Sequence, residues 1–225
     1  MKILALETAT SACSAALWKD GSVAARRLEG MARGQSEALM GMVGGVLDEA
    51  ECAFSDLDLL AVTVGPGAFT GLRIGLAAAR GFAVAQGLPC LGVTTLETVA
   101  HQVPEDERDG KTLLVVLETK REDIYAQAFD AGLKPLGKPE AAPPGGLARL
   151  LPAGPVLLAG DAALRALEEL RDASLSAAPG FPDAAAVAEI ASRRWRPGEA
   201  LCPPAPLYLR PPDASIPKNG GRLRP

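Results

Sequence analysis

The stretch ILALET at residues 3–8 decides the fold, because a closely similar stretch, LVVLET, occurs at residues 114–119. Each is a short apolar run, typical of a buried strand, that ends at an acidic residue. A second apolar run follows each of them after a short connection, at residues 13–18 and 124–129. Both halves therefore have the order strand, Glu-Thr, tight connection, strand, and the sequence predicts an internal duplication.

Two similar halves that each begin with such a hairpin resemble the duplicated RNase H-like fold of the actin, Hsp70 and sugar-kinase (ASKHA) superfamily. We therefore predict an α/β protein with two subdomains, each a mixed sheet flanked by helices. The charged, turn-rich stretch 104–111 predicts the boundary. It separates an N-terminal subdomain at 1–103 from a smaller C-terminal one at 112–210, and a disordered tail is predicted at 211–225.

The resemblance to this superfamily implies a cleft between the halves, where its members bind ATP. Open α/β sheets place their sites at the carboxyl ends of strands, where we expect Glu7, Glu118 and Asp161. Glu7, Thr8, Thr10 and Glu118 are therefore the candidate remnant of a nucleotide site. The two glutamates are also available as an acid/base pair, although carboxylates at strand ends are more often solvated or used as caps.

The two connections that follow the Glu-Thr stretches lack the residue types that an active nucleotide-binding enzyme needs. Residues 8–12 and 119–123 contain no glycine, whereas backbone groups that cradle a phosphate need residues without a Cβ. His101 is the single histidine, and the four cysteines lie far apart. A Cys/His zinc site and an HExxH site would need more histidines, and a Ser-His-Asp triad would have to use His101, in a chain with no GxSxG motif. We predict no catalytic residue and no metal site.

The most glycine-rich element is GPGAFTGLRIG at residues 65–75, between a predicted strand and a predicted helix that Thr70 would cap. It is neither a Walker A loop nor the GxGxxG of a dinucleotide fold. Two interpretations stay open. Gly71 and Gly75 could permit close packing, or the segment could contact a phosphate or a partner.

Two predicted helices carry unusually small side chains. The first, at 36–50, contains Gly41, Gly44 and Gly45, each of which costs about 1 kcal/mol relative to alanine in a helix interior. These helices either pack on their own sheet or dock on another chain, to which methionines adapt well. For docking, the expected interface residues are Leu39, Met40, Met42, Val43, Gly44, Val46, Leu47, Phe69, Arg73, Ile74, Ala77, Ala78 and Gly81.

The overall composition limits the partners. The net charge of −4 and the small set of aromatic residues (two Trp, two Tyr and five Phe) argue against a protein that holds nucleic acid through its own net charge or a base-stacking platform. The longest apolar stretches fall well short of the ~20 residues of a membrane span. Isolated, reduced cysteines are typical of a cytoplasmic protein, which is the location we predict.

Several segments resemble one family more closely. They are residues 3–10, 13–14, 65–75, 92–96 and 206–210, together with Tyr125 after the second Glu-Thr. All are similar to the TsaB (YeaZ) family of bacterial tRNA threonylcarbamoyladenosine (t6A) biosynthesis. The similarity is dense over residues 1–100 and restricted to short motifs thereafter.

This family resemblance implies a non-catalytic paralogue of the ligase subunit TsaD. It implies a homodimer in isolation, a heterodimer with TsaD and recruitment of the ATPase TsaE. The complex transfers threonylcarbamoyl to adenosine 37 of tRNAs that read ANN codons, so tRNA is contacted only through the complex. No intrinsic cofactor is implied, apart from a weak nucleotide (ATP or ADP) at the interface with TsaD. The family's dimer contact uses the N-terminal helices, in agreement with the small-residue faces.

Three positions depart from the family pattern. Glu7 replaces a more usual Asp, Ala68 a more usual Ser, and Gln35 stands where many members have His. The first two changes weaken a nucleotide site further, and the third leaves the interface open to a different polar contact. Two other classes of function remain, an ATP-dependent phosphotransferase and, more remotely, a glycoprotease-like peptidase.

Overall fold

The computed structural model describes residues 1–210, and its first half is built on a five-stranded mixed sheet in the order β3-β2-β1-β4-β5. The strands are β1 (Ile3–Glu7), β2 (Ala12–Lys19), β3 (Ser22–Gly30), β4 (Leu59–Gly65) and β5 (Cys90–Thr94). Four helices belong to this part of the chain, α1 (Gln35–Glu49), α2 (Phe69–Gln86), α3 (Thr95–Gln102) and the short α4 (Glu105–Arg108). Strand β1 pairs antiparallel with β2 and parallel with β4.

The second half is built on another five-stranded sheet, in the order β10-β9-β6-β7-β8. Its strands are β6 (Thr112–Glu118), β7 (Ile124–Phe129), β8 (Glu140–Ala142), β9 (Val156–Ala159) and β10 (Ser174–Leu175). Helices α5 (Ala163–Glu169) and α6 (Ala184–Arg194) complete the regular elements, with short 3₁₀ turns at Phe54–Asp56 and Pro144–Leu150.

The two sheets have the same topology. Strand β6 takes the place of β1, since it pairs antiparallel with β7 and parallel with β9. The two Glu-Thr stretches therefore end the equivalent central strands of the two sheets. The predicted fold class, a duplicated RNase H-like fold with mixed sheets flanked by helices, is confirmed.

The halves interlock through two helices. Helix α6 follows the second sheet in the chain but packs against β1 and β2 of the first sheet, where its alanines and Val187 meet Ile3 and Ala5. Helix α3 precedes the second sheet and contributes Leu96 and Val99 to that sheet's core. Because α3 and α6 also contact each other, they connect the two halves. The domain boundaries remain a prediction.

The helix starts differ from the predicted ones. Thr70 does not cap α2, because the helix begins one residue earlier with Ala68 at its N-cap position and no side-chain cap. In α3 the capping side chain is Thr94, whose hydroxyl accepts a hydrogen bond from the Glu97 N–H. Among residues 1–210 no helix is long and apolar enough to cross a membrane. The disorder predicted for 211–225 falls outside the described residues.

The glycines of α2 allow its backbone to touch the connection between β1 and β2. A Cβ on Gly67 or Gly71 would overlap the carbonyl oxygens of Ala9 and Thr8, respectively. The Ala68 N–H donates a 2.7 Å hydrogen bond to the Ala9 carbonyl in the same contact. Of the two interpretations left open for residues 65–75, close packing is confirmed.

Replacing Gly71 by alanine should destabilise the protein strongly. Its new methyl group would meet the Thr8 backbone, which a side-chain rotation cannot move aside. We expect Gly71→Ala to lower the free energy of unfolding by about 3 kcal/mol, measured by urea denaturation.

Gly81→Ala is the matched control, because Gly81 lies on the same helix with nothing within 4 Å of its missing Cβ. This change should raise the free energy of unfolding by about 1 kcal/mol through helix propensity alone. Equal effects of the two substitutions would contradict the close-packing account.

Candidate functional site

A cleft of about 1430 Å³ lies between the two halves, at the carboxyl ends of their central strands. Its walls come from the connections after β1 and β6, the first turns of α1 and α2, Asp161 after β9, and residues 207–210. Thr10 and Glu118 line it, as expected of a nucleotide-site remnant. Glu7 and Thr8 do not, because both are buried beneath its floor.

The first hairpin connection is filled from within the protein. The Thr8 hydroxyl donates a 2.7 Å hydrogen bond to the Gly71 carbonyl. A Cβ on Gly75 would stand 2.5 Å from the same hydroxyl. The start of α2 therefore occupies the space beside the β1–β2 connection, and only residues 9–11 of this connection reach the cleft.

Glu7 is a buried carboxyl at the end of β1. Its Oε1 accepts a 2.5 Å hydrogen bond from the Ala9 N–H and a 3.4 Å one from the Thr63 hydroxyl. Its Oε2 has no hydrogen-bond partner within the described part of the chain. Burial raises the pKa of Glu7 from 4.5 to about 8, against the effect of these two hydrogen bonds and with a smaller contribution from the charge of Asp183. At neutral pH this carboxyl is mainly protonated, so it offers little charge to a cation.

The second hairpin connection is a compact polar turn. The Thr119 hydroxyl donates to the Asp123 carbonyl at 2.6 Å and accepts a hydrogen bond from the Arg121 N–H at 3.1 Å. Lys120 has a φ of 60°, in the left-handed region that non-glycine residues seldom adopt. The turn is therefore held by its own side chains.

Arg165 of α5 covers the acidic residue of the second half. Its Nη1 donates to Glu118 Oε2 at 2.6 Å, and its Nη2 donates to the carbonyls of Arg121 and Glu122. Asp161 Oδ1 accepts a 2.8 Å hydrogen bond from the Glu118 N–H, and burial raises the pKa of Asp161. A guanidinium thus stands against the turn that would have to receive a phosphate.

The remaining titratable candidates lie elsewhere. His101 Nε2 is 3.4 Å from Glu189 Oε2 at the contact of α3 with α6, and burial lowers the pKa of this histidine. It does not line the cleft. Within residues 1–210 no group of three or more His, Cys, Asp or Glu is placed to hold a metal ion.

Residues 201–210, which we name the C-terminal strap, form a further part of the site. The sequence motif at 206–210 did not predict where in the fold this segment lies. Leu207 N–H donates to the Val64 carbonyl at 2.7 Å, at the end of β4. Tyr208 stacks against Phe69, with ring centroids 5.4 Å apart. Arg210 Nη1 donates to Asp123 Oδ1 at 3.1 Å. The strap therefore contacts both halves across the cleft.

The predicted interface residues divide by burial. The expectation was wrong for a set of apolar residues on α1 that face the protein's own core: Leu39, Met42, Val43, Val46 and Leu47. They follow the helical stripe that the first sheet covers. The other predicted residues are exposed or half-buried: Met40, Gly44, Phe69, Arg73, Ile74, Ala77, Ala78 and Gly81. Sequence reasoning missed Val84, which is 86% exposed on α2.

The position of Gln35 also differs from expectation. Its Nε2 donates to the Met31 carbonyl at 3.3 Å and reaches the Thr10 carbonyl at 3.5 Å. The side chain thus ties the start of α1 to the β1–β2 connection, an internal contact in place of the predicted freedom to bind a partner.

The buried carboxyl makes stability depend on pH. Between pH 4.5 and about 8 the folded state keeps the Glu7 proton that the unfolded state releases, so the free energy of unfolding falls as the pH rises through this window. Glu7→Gln removes this contribution, since glutamine stays neutral in both states. We expect the difference between variant and wild type, measured by urea denaturation, to grow in favour of the variant toward pH 8.

Glu122→Gln, which removes an exposed carboxyl, controls for the change in net charge. Parallel stability profiles for Glu7→Gln and the wild type would show that Glu7 ionises as readily in the folded protein as in the unfolded chain.

Comparison with known proteins relates the chain to t6A biosynthesis. Residues 29–141, half of the chain, match the family model described as TsaD, tRNA N6-adenosine threonylcarbamoyltransferase. The Escherichia coli tRNA threonylcarbamoyladenosine biosynthesis protein TsaB is 39% identical over 126 residues, which cover 56% of this chain and 53% of that protein. The chain thus matches about half the length of this curated relative.

Two other relatives match almost end to end. An uncharacterized protein of Mycobacterium tuberculosis is 34% identical over 218 residues, 94% of this chain and 93% of that protein. The structure of YeaZ from Pseudomonas aeruginosa superposes with a TM-score of 0.82 at 29% identity, covering 92% of this chain and 99% of that one. The chain belongs to the threonylcarbamoyltransferase family and, within it, to the TsaB (YeaZ) group.

Proposed function

We propose that this chain is a non-catalytic subunit of tRNA t6A biosynthesis that docks on a TsaD-type ligase subunit. The observation that carries the proposal is an exposed face on α1 and α2, which we call the helical face. It comprises Met40, Gly41, Gly44, Phe69, Arg73, Ala77, Gly81 and Val84. The names of the relatives support the pathway.

The helical face is suited to close contact between backbones. A Cβ added to Gly41, Gly44 or Gly81 would meet nothing within 4 Å, so these glycines serve no packing within the described chain. Beside them, Met40 is 52% and Val84 86% exposed. Small residues flanked by exposed apolar ones are typical of a surface that another protein covers.

The residues at the two hairpin connections support the proposal that this subunit has no catalytic activity of its own. The start of α2 fills the first hairpin connection, and Arg165 lies against the second one. Glu7 does not line the cleft, and its Oε1 already accepts hydrogen bonds from the Ala9 N–H and the Thr63 hydroxyl, so the acidic residue of the first half is not presented to a metal ion there. A phosphoryl-transfer site needs its phosphate cradle and its metal-binding carboxylates together.

The proposal includes the assembly that the family resemblance implies. In isolation the chain would form a homodimer through the helical face, and TsaD would replace the second copy in the working complex. TsaE would join that complex, which acts on adenosine 37 of tRNA. A weakly held ATP or ADP at the interface with TsaD remains part of the proposal.

A large charge in the helical face should prevent docking. Gly44→Arg places a guanidinium on α1, at a position where an added Cβ meets no atom of the described chain within 4 Å. We expect its affinity for TsaD to fall by at least about 2 kcal/mol, roughly 30-fold, because the charge must be desolvated at the interface. Co-purification and calorimetry measure the loss, and t6A formation should fall with it.

Gly137→Arg is the control. Gly137 also has open space at its Cβ position, but it lies in the second half, away from the helical face. This variant should bind TsaD as the wild type does. Undiminished binding by Gly44→Arg, in a protein whose melting curve shows that it is folded, would refute docking through α1.

A second measurement addresses the alternative of an ATP-dependent phosphotransferase. Calorimetric titration of the isolated chain with Mg-ATP should show no micromolar binding, and ADP release should stay at the uncatalysed level. The physical reason is that neither hairpin connection contains a glycine, so neither offers the unobstructed backbone N–H groups that cradle a phosphate. Micromolar affinity accompanied by turnover would favour the phosphotransferase and overturn the non-catalytic role.

A further inference from the structure

The mouth of the cleft is cationic although the chain carries a net charge of −4. Its lining includes five cationic side chains, Arg33, Arg73, Lys120, Arg121 and Arg210, and two carboxylates, Glu118 and Asp161. The positive side chains come from four separate places: the loop before α1, helix α2, the β6–β7 turn and the strap. Such a local concentration of charge can attract a polyanion to a protein that is acidic as a whole.

The two carboxylates are engaged inside the protein, Arg210 is paired with Asp123, and Arg73 lies over the Phe69 ring. Glu118 is paired with Arg165 at 2.6 Å, and Asp161 accepts a hydrogen bond from the Glu118 N–H at 2.8 Å. Arg33 and Lys120 are exposed, and neither has an ion-pair or hydrogen-bond partner among residues 1–210. These two side chains are therefore available to an external anion.

Two helices add to the positive potential. The 15-residue α1 and the 18-residue α2 both begin at the cleft, and neither has a side-chain cap on its first N–H groups. The uncapped first turn of a helix carries partial positive charge.

We propose that the mouth of the cleft binds the phosphate backbone of tRNA directly, with Arg33 and Lys120 as phosphate contacts. The inference rests on the proposed function, which brings tRNA to the complex, and deepens it by giving this subunit its own RNA surface. A nucleic acid strand suits cations spread around a rim, because its charges repeat along its length. A single nucleotide would instead need backbone N–H groups at the hairpin connections, and these connections contain no glycine.

The experiment titrates the purified full-length chain with fluorescently labelled, unmodified tRNA at several salt concentrations. The double variant Arg33→Gln, Lys120→Asn removes two charges, and asparagine tolerates the left-handed backbone of residue 120. We expect its affinity to be at least ~10-fold lower at low salt. The slope of log K against log salt should fall by about 2, since each phosphate contact contributes about 0.9.

The matched control is Lys138→Gln, Arg171→Gln, which lowers the net charge equally at exposed positions away from the cleft. It should bind tRNA as the wild type does. The proposal is overturned if the wild type does not bind tRNA, if the rim variant keeps the wild-type affinity and slope, or if the control loses as much. It is also overturned if Mg-ATP at an equal phosphate concentration displaces the tRNA, since the site would then be one for free nucleotides.

Binding of TsaD by each variant separates this inference from the proposed function. A rim variant that co-purifies with TsaD but has lost tRNA affinity supports both proposals. If the wild-type chain itself fails to bind TsaD, the proposed function fails, and the tRNA titration still decides the present inference by itself.

Discussion

The contact between the backbone of α2 and the β1–β2 connection is the constraint on which the site depends. Gly67 and Gly71 bring α2 against the Ala9 and Thr8 carbonyls, at a distance that no side chain would permit. This approach closes the cavity above Glu7 and leaves its carboxyl in a medium where the neutral form is favoured. The contact of α2 with the β1–β2 connection thus narrows the space beside this connection and favours the neutral form of Glu7.

The two hairpin connections are held by different contacts. In the first half the backbone of α2 lies against the connection, and in the second half the Arg165 side chain pairs with Glu118 and donates to the carbonyls of Arg121 and Glu122. Gly160 permits a similar close approach in the second half, where a Cβ would overlap the Val116 carbonyl. The shared topology therefore persists although the chemistry at the two equivalent strand ends has diverged, as expected when a fold and its site are set by different residues.

The sequence predicted the features that depend on local periodicity. The repeated Glu-Thr stretches predicted the equivalence of β1 and β6, and the apolar stripe of α1 predicted that helix almost to the residue. It left open whether this stripe, with Leu39 and Val43, packs on the chain's own sheet, as the structure has it, or on a partner, because periodicity gives the width of an apolar face and not what covers it. The role of Arg165 and the course of the strap depend on contacts between residues far apart in the chain, which no local pattern encodes.

Some glycines of α1 and α2 have open space where a Cβ would stand. Gly71 is explained by a contact within the chain, but Gly44 and Gly81 have open space where a Cβ would stand. A glycine inside a helix costs about 1 kcal/mol relative to alanine, and nothing within residues 1–210 compensates for it at these two positions. Contact with a second backbone would compensate, because only glycine lets two helices approach to their closest distance. In the proposed docking, the open glycines would lie in the contact with the partner chain.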